Sequence, residues 1–215
     1  MTKINYELIY ESALKLIGEI YNRSKYEKYI DFYRIYDIVN SLDKNQIKSK
    51  EWLVNTLIEY LPKFNKKYPR IFIAGGWYGL TAAILKQKLN VYNDIISCDI
   101  DPMTEYIGER LTNKQRVLFK IDNAVSHFIQ NRKDYNILIN TSCEHMEQED
   151  LEFMCDARVK GTIVCFQSNN YHEIDSHINC HDSLSDFIDS LPLKNIIYKN
   201  EQILPNCTRY MVIGS

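Results

Sequence analysis

A chain of 215 residues with 45% apolar and 25% charged side chains has material for one soluble α/β domain and a small additional layer. Its net charge of −2 excludes a protein that grips nucleic acid by bulk positive charge. Nucleic acid is not excluded as a partner, because Lys25, Lys28, Lys44, Lys48 and Lys50 sit close together. No run of 18 apolar residues occurs, and the opening MTKINYELIYES lacks an apolar core. No membrane contact and a cytoplasmic location are therefore expected. The six cysteines include no C-x-x-C pair. Cys98 and Cys165 fall in apolar runs and read as reduced core residues.

The first third reads as helical. Ile9, Ala13, Leu16, Ile17 and Ile20 recur at helical spacing, predicting a helix over 5–22. Tyr29, Phe32, Tyr33, Tyr36 and Val39 mark a second helix. A third is expected over 49–61, with Ser49 as its N-cap and Pro62 as its stop. Residues 1–67 are thus expected to form a helical segment that packs on the core formed by 68–215.

After Pro69 short apolar runs alternate with helical stretches. The runs are Ile71–Ala74, Ile95–Asp99, Val117–Ile121, Ile137–Asn140, Thr162–Phe166, Ile196–Tyr198 and Tyr210–Ile213. Helices are expected over 79–89, 103–111, 124–131, 147–158 and 183–191. Continuous apolar runs, rather than alternating ones, signal strands buried on both faces. Only a turn with Pro205 and Asn206 separates the last two runs, so they pair as antiparallel neighbours. The expected fold is α/β: a doubly wound, mostly parallel seven-stranded sheet with an antiparallel last strand, preceded by the helical layer. Ligand-binding loops belong at the carboxyl ends of its strands.

Those ends carry the polar residues. The first strand runs into Gly75-Gly76-Trp77-Tyr78-Gly79, where glycine permits a sharp bend and close approach of a ligand. The second ends Asp99-Ile100-Asp101-Pro102, 20 residues past Gly79. A carboxylate there can accept hydrogen bonds from both ribose hydroxyls of a nucleoside. The third runs into Asp122-Asn123 and the fourth into Asn140-Thr141-Ser142-Cys143-Glu144-His145.

Layout and strand ends together resemble the class I S-adenosylmethionine (SAM) dependent methyltransferases. The resemblance implies SAM as cofactor, held by Gly75, Gly76, Trp77, Gly79 and Asp99, with Asp101 as the alternative ribose ligand or a helix N-cap. It places Asp122 at the adenine amino group, or as an N-cap, and Asn140 at the rim facing cofactor and substrate. Trp77 stands where the family has its second glycine, and Ile73 replaces its usual acidic residue. Glu144-His145 is similar to a pair found in many small-molecule methyltransferases. A small-molecule acceptor is therefore expected, with His145, Glu144 and His177 as catalytic candidates. His145 could equally cap a helix or orient the loop. Cys143 reads as a packed thiol, and Arg209 as a surface residue or the partner of an anion. The polar stretch after the fifth strand carries His172 and His177, with His181 just beyond. It lacks a carboxylate pattern, so no metal is assigned. Alternatives are transfer of another SAM group, SAM cleavage, a dinucleotide-dependent oxidoreductase, or a nucleotide-binding module without catalysis.

Overall fold

The structure, a computed structural model, describes residues 4–24, 32–64, 69–89, 95–112 and 117–215. Three helices come first: α1 (Tyr6–Ser24), α2 (Phe32–Ser41) and α3 (Lys44–Tyr60). Alternating units follow: β1 (Ile71–Ala74), α4 (Leu80–Lys88), β2 (Ile95–Asp99), α5 (Thr104–Leu111), β3 (Val117–Ile121), α6 (Ala124–Asn131), β4 (Ile137–Asn140), α7 (Gln148–Ala157) and β5 (Ile163–Asn169). The short α8 (Leu184–Asp189) leads to β6 (Ile196–Ile203) and β7 (Thr208–Gly214).

The seven strands form one sheet in the order β3-β2-β1-β4-β5-β7-β6. Strands β1 to β5 are parallel, and β7 runs antiparallel between β5 and β6. The chain moves outward from β1 to β3, then returns to place β4 on the other side of β1. That reversal opens a crevice at the carboxyl ends of β1 and β4. It is the expected mixed α/β sheet.

Alternation along the strands sorts the core into two faces. Ile71, Ile73, Ile137, Ile139, Ile163, Cys165, Met211 and Ile213 face one apolar cluster, which also holds residues of α1 to α5. Phe72, Ala74, Leu138, Val164, Phe166, Tyr210 and Val212 face the other, beneath α6 to α8. Each full burial contributes about 1.5–3 kcal/mol, which explains why these strands read as unbroken apolar runs. All six cysteines are unpaired thiols. Among the described residues no helix is long and apolar enough to cross a membrane.

The bounds of the first four strands are those the apolar runs predict. The later strands and α3 depart from the expected bounds. Strand β5 continues through Gln167, Ser168 and Asn169, which pair with Met211, Tyr210 and Arg209 of β7. The antiparallel ladder extends it, and its buried polar side chains find partners: Gln167 Nε2 donates to the Ser49 carbonyl at 3.2 Å, and Ser49 Oγ donates to Gln167 Oε1 at 3.1 Å. Strand β6 runs five residues past the expected Tyr198, on the same ladder. Helix α3 starts at Lys44 and not after Ser49. Asp43 caps it by accepting from the Asn45 and Gln46 N–H groups at 2.7 and 3.1 Å, and Ser49 is a buried interior residue. Tyr29, expected in the second helix, lies outside the described residues.

Candidate functional site

Residues 75–79 turn the chain from β1 into α4. Three of the five have left-handed backbone: Gly75 (φ +60°), Trp77 (φ +45°) and Gly79 (φ +78°). A Cβ on Gly79 would stand 2.7 Å from the Phe119 ring, so conformation and space both select glycine. A Cβ on Gly76 would lie 2.0 Å from Ser97 Oγ, so this residue lets the turn close on β2. Trp77 adopts the left-handed conformation without glycine's freedom, a strain of about 1–3 kcal/mol. Its N–H donates to Asp99 Oδ2 at 2.8 Å, and its ring stacks on Tyr78 with centroids 5.2 Å apart.

Asp99 is therefore tied to the turn. Its Oδ1 also accepts from the Asp101 N–H at 3.1 Å. Two backbone donors fix the carboxylate at the rim, and each oxygen keeps a lone pair for a further hydrogen bond. Asp101 turns away. It forms an ion pair with Arg34 of α2, which also donates to the Tyr78 hydroxyl at 2.8 Å. Asp101 Oδ1 accepts from the Met103 N–H at 2.9 Å. The N-terminal layer thus reaches the rim through Arg34, a contact across 67 residues that sequence spacing does not reveal.

A cleft of about 500 Å³ lies over the ends of β1 to β4. Its size suits a small-molecule ligand. Gly75 and Trp77 form one wall, with Asp99 and Ile100 beside them. Asn123, Ala124 and Val125 close the end at α6, and Ser142, His145, Met146, Glu147 and Asp150 line the side at β4 and α7. Ile178 reaches over from the loop after β5. Of the residues singled out from sequence, Gly75, Trp77, Asp99 and His145 line this cleft.

Others stand behind it. Asp122 Oδ1 accepts from the Asn123 N–H at 2.8 Å, and its Oδ2 lies 3.2 Å from His127 Nδ1, so its neighbour Asn123 lines the cleft instead. Asn123 also caps α6 by accepting from the Ser126 N–H at 2.9 Å. Asn140 is fully buried and braces the turn after β4. Its Nδ2 reaches Met146 Sδ at 3.0 Å, and its Oδ1 accepts from the Ser142 N–H at 2.8 Å.

The turn after β4 and the loop after β5 bring Glu144, His145 and His177 together. The two imidazole rings meet edge to face, centroids 4.5 Å apart. Glu144 is buried and accepts from Arg209 Nη1 at 2.5 Å, while Arg209 Nη2 donates to the Thr141 carbonyl. Arg209 is thus a buried partner of Glu144. Burial pulls the His145 imidazole below its ordinary pKa, with Glu144 opposing the shift, so the ring is neutral at pH 7. Burial pushes the Cys143 thiol well up, which makes it a packed, unreactive group. His172 pairs with Asp182 at 3.1 Å. His181 sits between Ser168 and Ser190, 3.3 and 3.0 Å from their hydroxyls. Neither joins His177.

Sequence spacing missed Asn123, Ser142, Met146, Glu147, Asp150 and Ile178. One signal was available in sequence: Ile100 and Ile178 are apolar residues within polar strand-end loops, and both line the cleft.

No protein-family model matches the chain, and no curated protein matches it by sequence. Solved structures do match. A mutant of MtNAS in complex with SAM is 14% identical with a TM-score of 0.54, covering 97% of this chain and 72% of that one. An O-methyltransferase from Bacillus cereus with S-adenosylhomocysteine is 11% identical (TM-score 0.54), covering 92% and 90%. A geranyl diphosphate C-methyltransferase from Streptomyces coelicolor, also with S-adenosylhomocysteine, is 8% identical (TM-score 0.56), covering 81% and 83%. The chain has the class I methyltransferase fold. At these identities the likeness concerns the fold alone.

Proposed function

We propose that this chain is a SAM-dependent methyltransferase acting on a small polar acceptor. The observation that carries the reading is the position of Asp99. Its carboxylate is held by two backbone N–H groups at the carboxyl end of β2, on the wall of a cleft shared with the left-handed turn after β1. SAM or S-adenosylhomocysteine occupies three of the matching folds.

The residues fit an adenosyl ligand. The spare lone pairs of Asp99 suit two ribose hydroxyls. Ile100 and Val125 offer apolar surfaces for the purine, and the first N–H groups of α6, which have no partner within the helix, can meet its edge. Gly75 lets the methionine portion pass close to the backbone. The sulfonium methyl is already activated, so the remaining task of the protein is to align the acceptor for in-line attack and exclude water. His145 stands on the wall where an acceptor would enter. Its neutral ring can take a proton from an acceptor hydroxyl. Glu144, anchored by Arg209, favours the imidazolium that results. Arg34 and the helices behind it position the rim and make no part of the reaction.

Product analysis tests the reaction. Incubation with SAM and a panel of hydroxyl and carboxyl acceptors is expected to release S-adenosylhomocysteine. Release of methylthioadenosine would instead assign transfer of the aminocarboxypropyl group or SAM cleavage. Turnover is expected to fall by roughly 10²-fold or more in His145→Ala, with SAM affinity little changed.

A further inference from the structure

One ligand atom each from Glu144, His145 and His177 lies within 4.8 Å of the other two. The three residues come from two separate segments, the turn after β4 and the loop after β5. Both imidazoles are held through Nδ1 by backbone carbonyls. His145 Nδ1 is 3.0 Å from the Ser176 carbonyl oxygen, and His177 Nδ1 is 2.6 Å from that of Tyr171. A carbonyl only accepts, so each Nδ1 carries the proton. In a neutral ring Nε2 then keeps its lone pair. Ligating histidines receive this kind of support, their second nitrogen donating to a carbonyl or carboxylate.

Glu144 supplies the independent observation. Its side chain is 5% exposed, and Arg209 satisfies Oε1. Oε2 is buried with no hydrogen-bond partner. A buried carboxylate oxygen left bare is costly, and a bound cation would provide what it lacks.

We propose that Glu144, His145 and His177 form a binding site for a divalent first-row transition-metal ion at the acceptor end of the cleft. Two imidazoles and one carboxylate suit Zn²⁺, Co²⁺, Fe²⁺ or Mn²⁺ better than Mg²⁺ or Ca²⁺, which prefer oxygen shells. Ligands about 2.1 Å from one ion stand about 3.4 Å apart in a tetrahedral site, so the group closes by up to about 1.4 Å to share it. Three protein ligands leave coordination positions open. His145 lines the cleft, so an acceptor lying there is within reach of them. The single negative charge of Glu144 is already matched by Arg209, so the ligand set does not neutralise a doubly charged ion. The structure therefore points to an acceptor that ligates through an anionic oxygen, a carboxylate or an ionised hydroxyl. This assignment of acceptor class rests on the methyltransferase reading; the metal site does not. With the ion bound His145 is a ligand and no longer the base; the cation favours ionisation of an acceptor hydroxyl, whose proton leaves to water.

The test uses tag-free, chelator-stripped full-length protein. Titration with Zn²⁺ and with Co²⁺ is followed by calorimetry, and the Co²⁺ complex by its visible absorption. One ion per chain is expected. His177→Ala and His145→Gln should each weaken binding by at least roughly tenfold and alter the Co²⁺ spectrum. His172→Ala, on the same loop but paired with Asp182, should leave affinity and spectrum unchanged. Circular dichroism confirms that each variant is folded, and Glu144→Gln is read only if it is. Absence of binding at about 1 mM metal, or equal affinity in His177→Ala, would overturn the site. SAM titration of the same metal-free sample separates this failure from failure of the cofactor reading.

Discussion

Trp77 shows how a single residue is held against its own preference. Its φ of +45° is one that glycine adopts freely and other residues pay to enter, yet its N–H anchors Asp99 and its ring forms cleft wall. Two truncations separate these effects, because both remove the ring. Trp77→Gly is expected to be more stable than Trp77→Ala by about 1 kcal/mol, the reverse of the order found in helices. Chemical denaturation of both variants checks this; Ala as stable as Gly would show that the backbone there is relaxed. Both should bind an adenosyl ligand more weakly than the native chain. The glycines and Asp99 were legible in the sequence because a strand-to-helix turn restricts residue choice so narrowly. The orientation of Asp101 toward Arg34, and of Asp122 toward His127, was not. Both aspartates sit at strand ends by the same pattern, and only the packing of α2 and α6 decides which way they face.

At the scale of elements, α3 carries an ionisable group into the core. Lys50 is buried, with its amine bonded to Gln46 Oε1. Burial lowers its pKa to about 7; Arg209 adds to the shift, and Glu144 and Asp43 oppose it. Below that value the ammonium is charged in both folded and unfolded chains, and the fold bears the full cost of burying it. Between about 7 and the ordinary 10.5 the unfolded chain holds a proton that the folded chain does not, so stability rises with pH. Lys50→Met is therefore expected to raise the thermal midpoint more at pH 6 than at pH 9, in the presence of chelator. An equal gain at both pH values would place Lys50 in contact with water. From sequence alone Lys50 is one of a group of neighbouring lysines with Lys44 and Lys48. Helix α3 begins at Lys44, five residues before the expected N-cap Ser49, so Lys50 is an interior helix residue on the buried face with Leu53, Val54 and Leu57. The central strands were legible because burial on both sides makes them uniformly apolar. The extensions of β5 and β6 were hidden, since their residues are polar and are held by the ladder with β7 and by partners such as Ser49.

For the whole molecule, the N-terminal helices and the sheet share one apolar cluster, in which Ile9, Leu16, Leu53 and Leu57 meet Ile71 and Ile137. The same helices send Arg34 to Asp101 and Tyr78 at the rim. The fold class was readable because alternation of apolar runs and helices admits few topologies. The convergence of Glu144, His145 and His177 was only half readable: Glu144 and His145 are adjacent, but His177 arrives through loop geometry that no periodicity encodes. What unites fold and site is the claim that the cleft beside Asp99 receives the adenosyl group. Calorimetric titration of the native chain and of folded Asp99→Ala with SAM tests it most directly. Stoichiometric binding by the native chain, weakened at least roughly tenfold in Asp99→Ala, is the predicted result. Equal affinity in the two proteins, or no binding by the native chain, would contradict the account.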